Sequence, residues 1–281
     1  MQLGEALREG IERLKAADVG SPRMNAETLM KFTLGCDRAY LYAHPERQLT
    51  AEELERYQTA IGERAAGKPS QYIIGHQEFW GLDFLVTPAV LIPRPETEHV
   101  IEMVLDLVRE QDTRVPRIVD VGTGSGCIAL ALAHELPDAR MEANDISAAA
   151  VEIARANAAR LNLDRRVRFH HGDLLEGIPE SERFDFIVSN PPYVPRSEPE
   201  KVQKQVFEHE PHSAVFGGDT GMQVYERLVP QARAYLKDGG WLVMEIGFSQ
   251  LEQVQELLGG WAEARVKEDL QGIPRVVAAR K

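Results

Sequence analysis

From residue 117 onward the chain alternates short apolar runs with segments of helical periodicity, and this alternation most constrains its fold. Strands are predicted at 117–120, 140–144, 167–170, 184–189, 241–246 and 275–279. Helices are predicted between or beside them at 126–135, 148–161, 222–236 and 250–258. Strands that alternate with helices indicate an α/β fold, with a parallel sheet covered by helices on both faces.

The first 75 residues show helical periodicity only. Leu3, Leu7, Ile11 and Leu14 fall on one helical face. Ser21-Pro22 predicts a helix start with proline in the first turn, and Thr50-Ala51-Glu52-Glu53 predicts a capping box. A small helical domain is therefore expected over residues 1–75.

Residues 76–92 differ from both neighbours. The segment is rich in aromatic and β-branched residues and is interrupted by Gly81 and Pro88, as in a β-hairpin linker. Pro93-Arg94-Pro95 then opens an amphipathic helix. We therefore expect three parts, a helical substrate-recognition domain at 1–75, a hairpin linker at 76–92 and a catalytic domain at 93–281, with mobility in the linker near 69–90.

Composition excludes several classes of protein. The longest apolar stretch, 127–133, is too short to span a bilayer, and charges interrupt the first residues where a signal peptide needs an apolar core. The two cysteines, Cys36 and Cys127, lack the spacing of a disulfide framework or a zinc site. These features predict a cytoplasmic protein with no membrane association and no metal. The net charge of -12 counts against a nucleic-acid partner.

A glycine-rich turn follows the first predicted strand of the catalytic domain. The sequence Val121-Gly122-Thr123-Gly124-Ser125-Gly126 has G-x-G-x-G spacing, which departs from the dinucleotide fingerprint, and it lacks the lysine of a phosphate-binding loop. Asp145, at the end of the next strand, is placed to accept hydrogen bonds from ribose hydroxyls. Asp173 and Leu174, after the third strand, are placed to meet an adenine amine and ring face. A nucleoside cofactor without pyrophosphate fits this set.

The sequence Asn190-Pro191-Pro192-Tyr193 ends the fourth predicted strand, at the sheet edge where α/β proteins bind ligands. Two prolines remove two backbone donors, so acceptors remain: the Asn190 side-chain oxygen and nearby carbonyls. Such a site suits a planar NH2 group. Fixed acceptors hold both N–H bonds, aim the nitrogen at a methyl group and favour the positive charge that develops during attack.

These motifs together resemble known methyltransferases. The glycine turn with its downstream acid resembles motifs I and II of the S-adenosylmethionine-dependent enzymes, and Asn-Pro-Pro-Tyr resembles the motif of those that methylate planar nitrogens. Nearly the whole chain resembles the HemK/PrmC family of release factor glutamine methyltransferases. That resemblance rests on the helical N-terminal domain, the segments 69–75, 78–81 and 91–98, the loop from Glu210 to Gly218 and the ending at 272–277.

The resemblance implies a Rossmann-like class I methyltransferase fold with S-adenosylmethionine as the cofactor and S-adenosylhomocysteine as the product. It implies a monomer that methylates the side-chain amide (N5) of the glutamine in the Gly-Gly-Gln motif of class 1 peptide chain release factors. The residues it assigns to the cofactor are Gly122, Thr123, Gly124, Ser125, Gly126, Asp145, Asp173, Leu174 and Asn190, and those it assigns to catalysis are Asn190, Pro191, Pro192 and Tyr193.

Other residues surround this set. Leu91 and Ile92 are expected to wall the pocket, and Arg94, Glu96 and Thr97 to close it. A salt bridge at the helix start is an equal interpretation of Arg94 and Glu96. No general base is obvious among the eight histidines, so direct in-line transfer with positioning as the main contribution is expected.

Three rival functions are open at this stage. A glutamine methyltransferase of a large-subunit ribosomal protein has the same cofactor motifs and Asn-Pro-Pro-Tyr. An adenine-N6 methyltransferase of nucleic acid is disfavoured by the acidic balance. A module that binds the cofactor without transferring the methyl group would leave the acceptors at Asn190 and Pro191 without a role.

Overall fold

The computed structural model describes all of residues 1–281 and divides into two compact units. The first unit comprises Met1–His76 and Gln203–His209, and the second comprises Gln77–Val202 and Glu210–Lys281. The helices are α1 (Leu3–Ala16), α2 (Pro22–Leu34), α3 (Arg38–Ala43), α4 (Ala51–Ala65), α5 (Ser70–Ile74), α6 (Glu98–Glu110), α7 (Cys127–Glu135), α8 (Ala148–Arg160), α9 (Lys204–His209), α10 (His212–Val215), α11 (Gln223–Tyr235) and α12 (Leu251–Leu257). The strands are β1 (His76–Phe79), β2 (Leu82–Leu85), β3 (Arg117–Val121), β4 (Arg140–Asp145), β5 (Val167–His171), β6 (Phe184–Ser189), β7 (Leu236–Glu245), β8 (Glu263–Glu268) and β9 (Pro274–Arg280).

The first unit is helical, as the sequence predicted. Leu3 and Leu14 are fully buried in its core, and the capping box of α4 is present, with the Glu53 amide donating to Thr50 Oγ1 at 3.1 Å. Helix α2 begins at Pro22, directly after Ser21, as predicted. Ser21 has a left-handed backbone and its side chain makes no capping bond; instead Asn25 Nδ2 donates to the Gly20 and Ser21 carbonyls.

The hairpin of β1 and β2 turns through Trp80 and Gly81, both at positive φ, which is the backbone of a two-residue hairpin turn. Phe84 is fully buried in the core of the second unit. Asn157 of α8 fixes β2 from the side, because its side-chain amide accepts from the Leu85 amide and donates to the Leu85 carbonyl. The second strand of the hairpin is thus anchored to the core of the second unit.

The large sheet has seven strands in the order β5-β4-β3-β6-β7-β9-β8. The five strands β3 to β7 are parallel, which confirms the α/β prediction, but β9 runs antiparallel to both β7 and β8. The sheet is therefore mixed, and the predicted parallel arrangement holds for β3 to β7 but does not extend to β9 and β8. Strand β8 was not predicted because its residues alternate only between exposed and half-exposed and include four charges, as expected for an edge strand.

The order of the strands creates a crevice at the carboxyl ends of β3 and β6. The chain proceeds outward from β3 through β4 to β5 and then crosses back to place β6 on the other side of β3. Ligands bind at such a switch point in open α/β sheets. The glycine turn after β3 and the Asn-Pro-Pro-Tyr sequence after β6 therefore meet at one edge. No helix is both long and apolar enough to cross a bilayer.

Candidate active site

A cavity of about 340 Å³ lies at this crevice in the second unit. Its lining includes most of the residues expected from the sequence: Gly122, Thr123, Gly124, Ser125, Asp145, Asp173, Leu174, Asn190, Pro191 and Pro192. Leu91, Arg94 and Thr97 also line it. Gly126, Tyr193, Ile92 and Glu96 do not.

The glycine turn divides into two parts with different roles. Gly122 and Gly124 have φ of +75° and +55°, and an added Cβ at either would meet no atom within 4 Å, so both face open space. Gly126, with φ of +83°, begins α7, and a Cβ there would lie 3.2 Å from the Ala154 Cβ of α8. The first two glycines admit a ligand, whereas Gly126 permits close packing of two helices.

Asp145 is held by the backbone around it. One carboxylate oxygen accepts from the Gly124 amide and the other from the Ser147 amide, both at 2.8 Å. Each oxygen has a second lone pair, which suits the two hydroxyls of a ribose. Burial raises the pKa of Asp145, and the two backbone bonds act in the opposite direction.

Asp173, which the sequence predicts to meet an adenine amine, lines the cavity and also has a partner within the chain. Its carboxylate pairs with Arg227 Nη2 at 2.5 Å, so Arg227 of α11 also belongs to the cavity wall. Leu174 lines the cavity at positive φ, and its carbonyl accepts a hydrogen bond from the Asn144 side chain. Ile146, more than half exposed, adds an apolar side chain beside Leu174 in the lining.

The Asn-Pro-Pro-Tyr segment presents acceptors to the cavity. Asn190 Nδ2 donates to Thr97 Oγ1 at 3.0 Å, and neither the Asn190 Oδ1 atom nor the Pro191 carbonyl accepts a hydrogen bond within the chain. Both residues line the cavity. Tyr193 lies behind them and packs into the core, with its hydroxyl 3.4 Å from Glu245 Oε1.

A buried carboxylate lies behind Asn190. Glu245, at the end of β7, is only 3% exposed, and its Oε2 accepts from Thr97 Oγ1 at 2.6 Å. Burial raises its pKa to about 7. Sequence reasoning missed Glu245, although it is the only charged residue in the apolar run from Trp241 to Ile246.

The backbone of the motif is tightly supported. The Gln250 side chain donates to the Tyr193 carbonyl at 2.9 Å and accepts from the Gly247 amide at 3.1 Å. The Val194 amide donates to the Val215 carbonyl, and the Gly217 amide donates to the Val194 carbonyl. The segment leaving Tyr193 is thus fixed along both sides, which preorganises the acceptors.

Arg94 forms an ion pair with the buried Glu210 and not with Glu96, so the salt bridge at the helix start, one of two equal interpretations, is not formed. Its Nη2 donates to Glu210 Oε1 at 2.5 Å, while Glu210 Oε2 accepts from the Ile92 amide at 3.0 Å. The Glu210 side chain is 1% exposed. This carboxylate therefore holds the cavity-lining segment before α6 to the loop before α10.

The first comparison with known proteins concerns the fold. Residues 102–219 match the family described as the methyltransferase small domain. The catalytic domain of hMettl16, solved in complex with MAT2A 3′UTR hairpin 1, superposes with a TM-score of 0.59 at 18% identity, over 85% of this chain and 84% of that one. An RsmC methyltransferase from T. thermophilus, solved with AdoMet and guanosine, has a TM-score of 0.55 at 20% identity, over 73% of this chain and 49% of that one. Fold and cavity together define an S-adenosylmethionine-dependent methyltransferase with a Rossmann-like domain.

The second comparison concerns sequence. Residues 5–75 match the family described as the PrmC N-terminal domain. A release factor glutamine methyltransferase from Koribacter versatilis is 54% identical over 100% of this chain and 99% of its own length. Another from Bradyrhizobium diazoefficiens is 43% identical over 96% of this chain and 91% of its own. The chain belongs to the release factor glutamine methyltransferase family.

The residues of the cavity fit S-adenosylmethionine. Two glycines leave space that a Cβ would fill, and Asp145 has lone pairs available for a diol. Ser125 Oγ is buried at the cavity wall without a hydrogen-bond partner, so it is available to a polar atom of the methionine portion.

Proposed function

We propose that this protein transfers a methyl group from S-adenosylmethionine to the side-chain amide nitrogen of the glutamine in the Gly-Gly-Gln motif of class 1 peptide chain release factors. The single observation that supports this best is the pair of unused acceptors, Asn190 Oδ1 and the Pro191 carbonyl, at the wall of the cofactor cavity. A planar amide NH2 has two donors to match them.

The chain contributes binding and orientation. Gly122, Gly124 and Asp145 would hold the cofactor, which supplies an electrophilic methyl group on a sulfonium. Asn190 and Pro191 would hold both N–H bonds of the glutamine amide, aim its nitrogen at the methyl carbon and stabilise the positive charge that develops there. The new N–C bond forms as the C–S bond breaks, and the amide then loses one proton to water.

The two domains would divide the work. We propose that residues 1–75 recognise the release factor, that 76–92 form the linker and that 93–281 carry the chemistry. Residues 1–75 have 10 basic and 11 acidic side chains, a net charge of -1, which leaves -11 for the remainder. A nearly neutral domain suits a protein partner better than a phosphate backbone. We propose that the enzyme acts in the cytoplasm, where release factors function, and that it acts as a monomer.

One assay separates this function from its rivals. The protein is incubated with methyl-labelled S-adenosylmethionine and, separately, with a class 1 release factor, large-subunit ribosomal proteins, DNA and RNA. We expect label on the release factor alone, located by peptide mass spectrometry at the glutamine of Gly-Gly-Gln. A release factor with asparagine at that position is the matched control and should remain unlabelled. Transfer to ribosomal protein or nucleic acid without transfer to release factor would overturn the proposal.

A further inference from the structure

We propose that Thr97 and Glu245 are positioning residues that set the direction of the Asn190 side-chain amide, so that its oxygen and not its nitrogen faces the substrate. The inference rests on the proposed function for the identity of the substrate amide. The hydrogen-bond chain itself connects residues of the second unit that are far apart in sequence.

The chain starts at Glu245. This side chain lies at the end of β7 and faces two hydroxyl groups, Thr97 Oγ1 at 2.6 Å from one carboxylate oxygen and the Tyr193 hydroxyl at 3.4 Å from the other. An ionised carboxylate is an acceptor only. When Glu245 is ionised, both hydroxyls therefore point their hydrogens at it.

The next hydrogen bond in the chain is the one at Thr97. A threonine hydroxyl has one hydrogen, and here it is donated to Glu245, so only lone pairs remain on the Thr97 oxygen. The neighbouring group of Asn190 must therefore be a donor, which is Nδ2 at 3.0 Å. The reversed amide would place two acceptors against each other in a buried setting, which costs free energy. Asn190 Oδ1 is consequently directed away from Thr97.

The consequence for substrate is direct. The Oδ1 atom is needed as an acceptor for the glutamine N–H, and a reversed Asn190 would present its own NH2 to another NH2. If the Asn190 side-chain amide could rotate freely, part of the enzyme population would present the wrong group to the substrate and could not react. Thr97 and Glu245 would remove that freedom without touching the reacting atoms.

The setting of Glu245 makes this chain sensitive to pH. Burial of the side chain raises its pKa to about 7, the Glu96 carboxylate adds to that shift, and the Arg275 guanidinium opposes it. Tyr225, whose hydroxyl donates to the Glu245 carbonyl at 2.9 Å, and Cys127 are the remaining titratable neighbours. Only the ionised form accepts from both hydroxyls at once, because a protonated carboxyl must use one oxygen as a donor.

The test uses the full-length protein with a class 1 release factor and S-adenosylmethionine. Thr97→Val removes the hydroxyl, Thr97→Ser keeps it, and Glu245→Gln removes the charge at nearly constant shape. Glu142→Gln is the matched control, because Glu142 is a similarly buried carboxylate on the same sheet, bonded to His170 outside the cavity. Thermal unfolding and the dissociation constant for S-adenosylhomocysteine are measured for each variant.

We expect Thr97→Val and Glu245→Gln to lower kcat about tenfold or more, with the release factor KM and the S-adenosylhomocysteine affinity within about threefold of the parent protein. Thr97→Ser should retain most of the activity. In the parent protein kcat should fall as the pH drops below about 7, and this acidic limb should be absent from Glu245→Gln. Glu142→Gln should keep kcat even where it lowers the melting temperature.

A second measurement does not depend on turnover. The side-chain NH2 signal of Asn190, assigned by its absence from Asn190→Ala, should exchange slowly with solvent in the parent protein and quickly in Thr97→Val. Rapid exchange in the parent protein, or unchanged kcat in a folded Thr97→Val, would overturn the proposal. A parent protein that leaves release factor unmethylated would instead refute the proposed function, and the exchange measurement would still decide the role of Thr97.

Discussion

Gly217 packs directly against the Pro192 carbonyl: a Cβ added at Gly217 would lie 2.3 Å from the Pro192 oxygen and 2.8 Å from the Gly221 oxygen. Real Cβ atoms do not approach backbone oxygens so closely. Because Gly217 has no side chain, the backbone of the loop before α11 can pack directly against the backbone of the Asn-Pro-Pro-Tyr segment. Placement of the acceptors depends on this contact, because Pro192 follows Asn190 and Pro191 directly.

Gly217→Ala should therefore lower kcat by about tenfold, since displacement of the acceptors disturbs alignment of the reacting atoms. Affinity for S-adenosylhomocysteine, measured by calorimetry, should change little. Gly20→Ala is the control, because a Cβ there meets nothing within 4 Å. A fully active Gly217→Ala would show that the contact does not position the motif.

Asn190→Ala should reduce kcat by about a hundredfold or more and leave cofactor affinity within about threefold. The substitution removes the Oδ1 acceptor, whereas Gly122, Gly124 and Asp145 still form the cofactor wall. Single-turnover methylation with saturating cofactor measures the chemical step. Asn190→Asp is the informative partner variant, because it retains an oxygen but places a second acceptor against Thr97. Normal turnover in Asn190→Ala would sink the proposed mechanism.

Gly122→Ala should weaken binding of S-adenosylhomocysteine by about tenfold or more, because its Cβ would occupy space that the ligand needs. Gly81→Ala has a similar backbone penalty, with φ of +70° against +75°, and a Cβ at either site meets no protein atom. Both variants should therefore lose similar stability, about 1 kcal/mol, in urea unfolding. Equal cofactor affinity in the two variants would remove Gly122 from the site.

The sequence was sufficient to predict the helices, strands and turns that have a local sequence pattern. The glycine turn and Asn190 follow the strands β3 and β6, Asp145 ends β4, and the parallel topology brings the ends of these strands together. Strand β8 escaped because its residues alternate between exposed and half-exposed, with charges at both ends. Its pairing with β9 depends on a long-range ladder and not on local periodicity.

The sequence also did not predict which side chains pair with each other. Asp173 was assigned to an adenine amine, yet it pairs with Arg227, which is 54 positions further along the chain. Thr97 and Glu245 are 148 positions apart. No local spacing indicates which of many carboxylates faces a given hydroxyl, since that is decided by how α6 packs on the sheet. The isolated charge in an apolar strand was the one available signal for Glu245.

Glu210→Gln should destabilise the protein by about 1–3 kcal/mol. The carboxylate accepts from Arg94 Nη2 and from the Ile92 amide, and a glutamine must turn its NH2 toward one of these donors. Arg94 is 32% exposed, so the cost should lie toward the lower end. Glu198→Gln, which breaks an exposed pair with Lys201, should change unfolding free energy by less than about 0.5 kcal/mol. Equal effects of the two substitutions in urea unfolding would show that the hydrogen bonds of Glu210 stabilise the protein no more than an exposed ion pair does.

Asp120 provides a pH-dependent test of the turn after β3. It is fully buried, with Oδ2 accepting from Thr123 Oγ1 at 2.6 Å and from the Ala129 amide at 3.2 Å, while Oδ1 has no partner. Burial raises its pKa from 3.8 to about 7. The native state therefore keeps this proton between about pH 4 and 7, where the unfolded state has lost it. The contribution of Asp120 to stability consequently falls as the pH rises through this window.

Asp120→Asn removes this titration and can keep both accepted hydrogen bonds through its single oxygen. The free energy of unfolding of the parent protein minus that of Asp120→Asn should therefore decrease from about pH 4 to pH 7, by at most about 4 kcal/mol, and become constant above that range. Urea unfolding of both proteins at matched ionic strength measures this difference. Because Glu245 titrates in both proteins, its contribution to the free energy of unfolding cancels in the difference. A difference that stays constant from pH 4 to pH 7 would mean that Asp120 is already ionised in the folded protein over this range, and that its pKa is not raised.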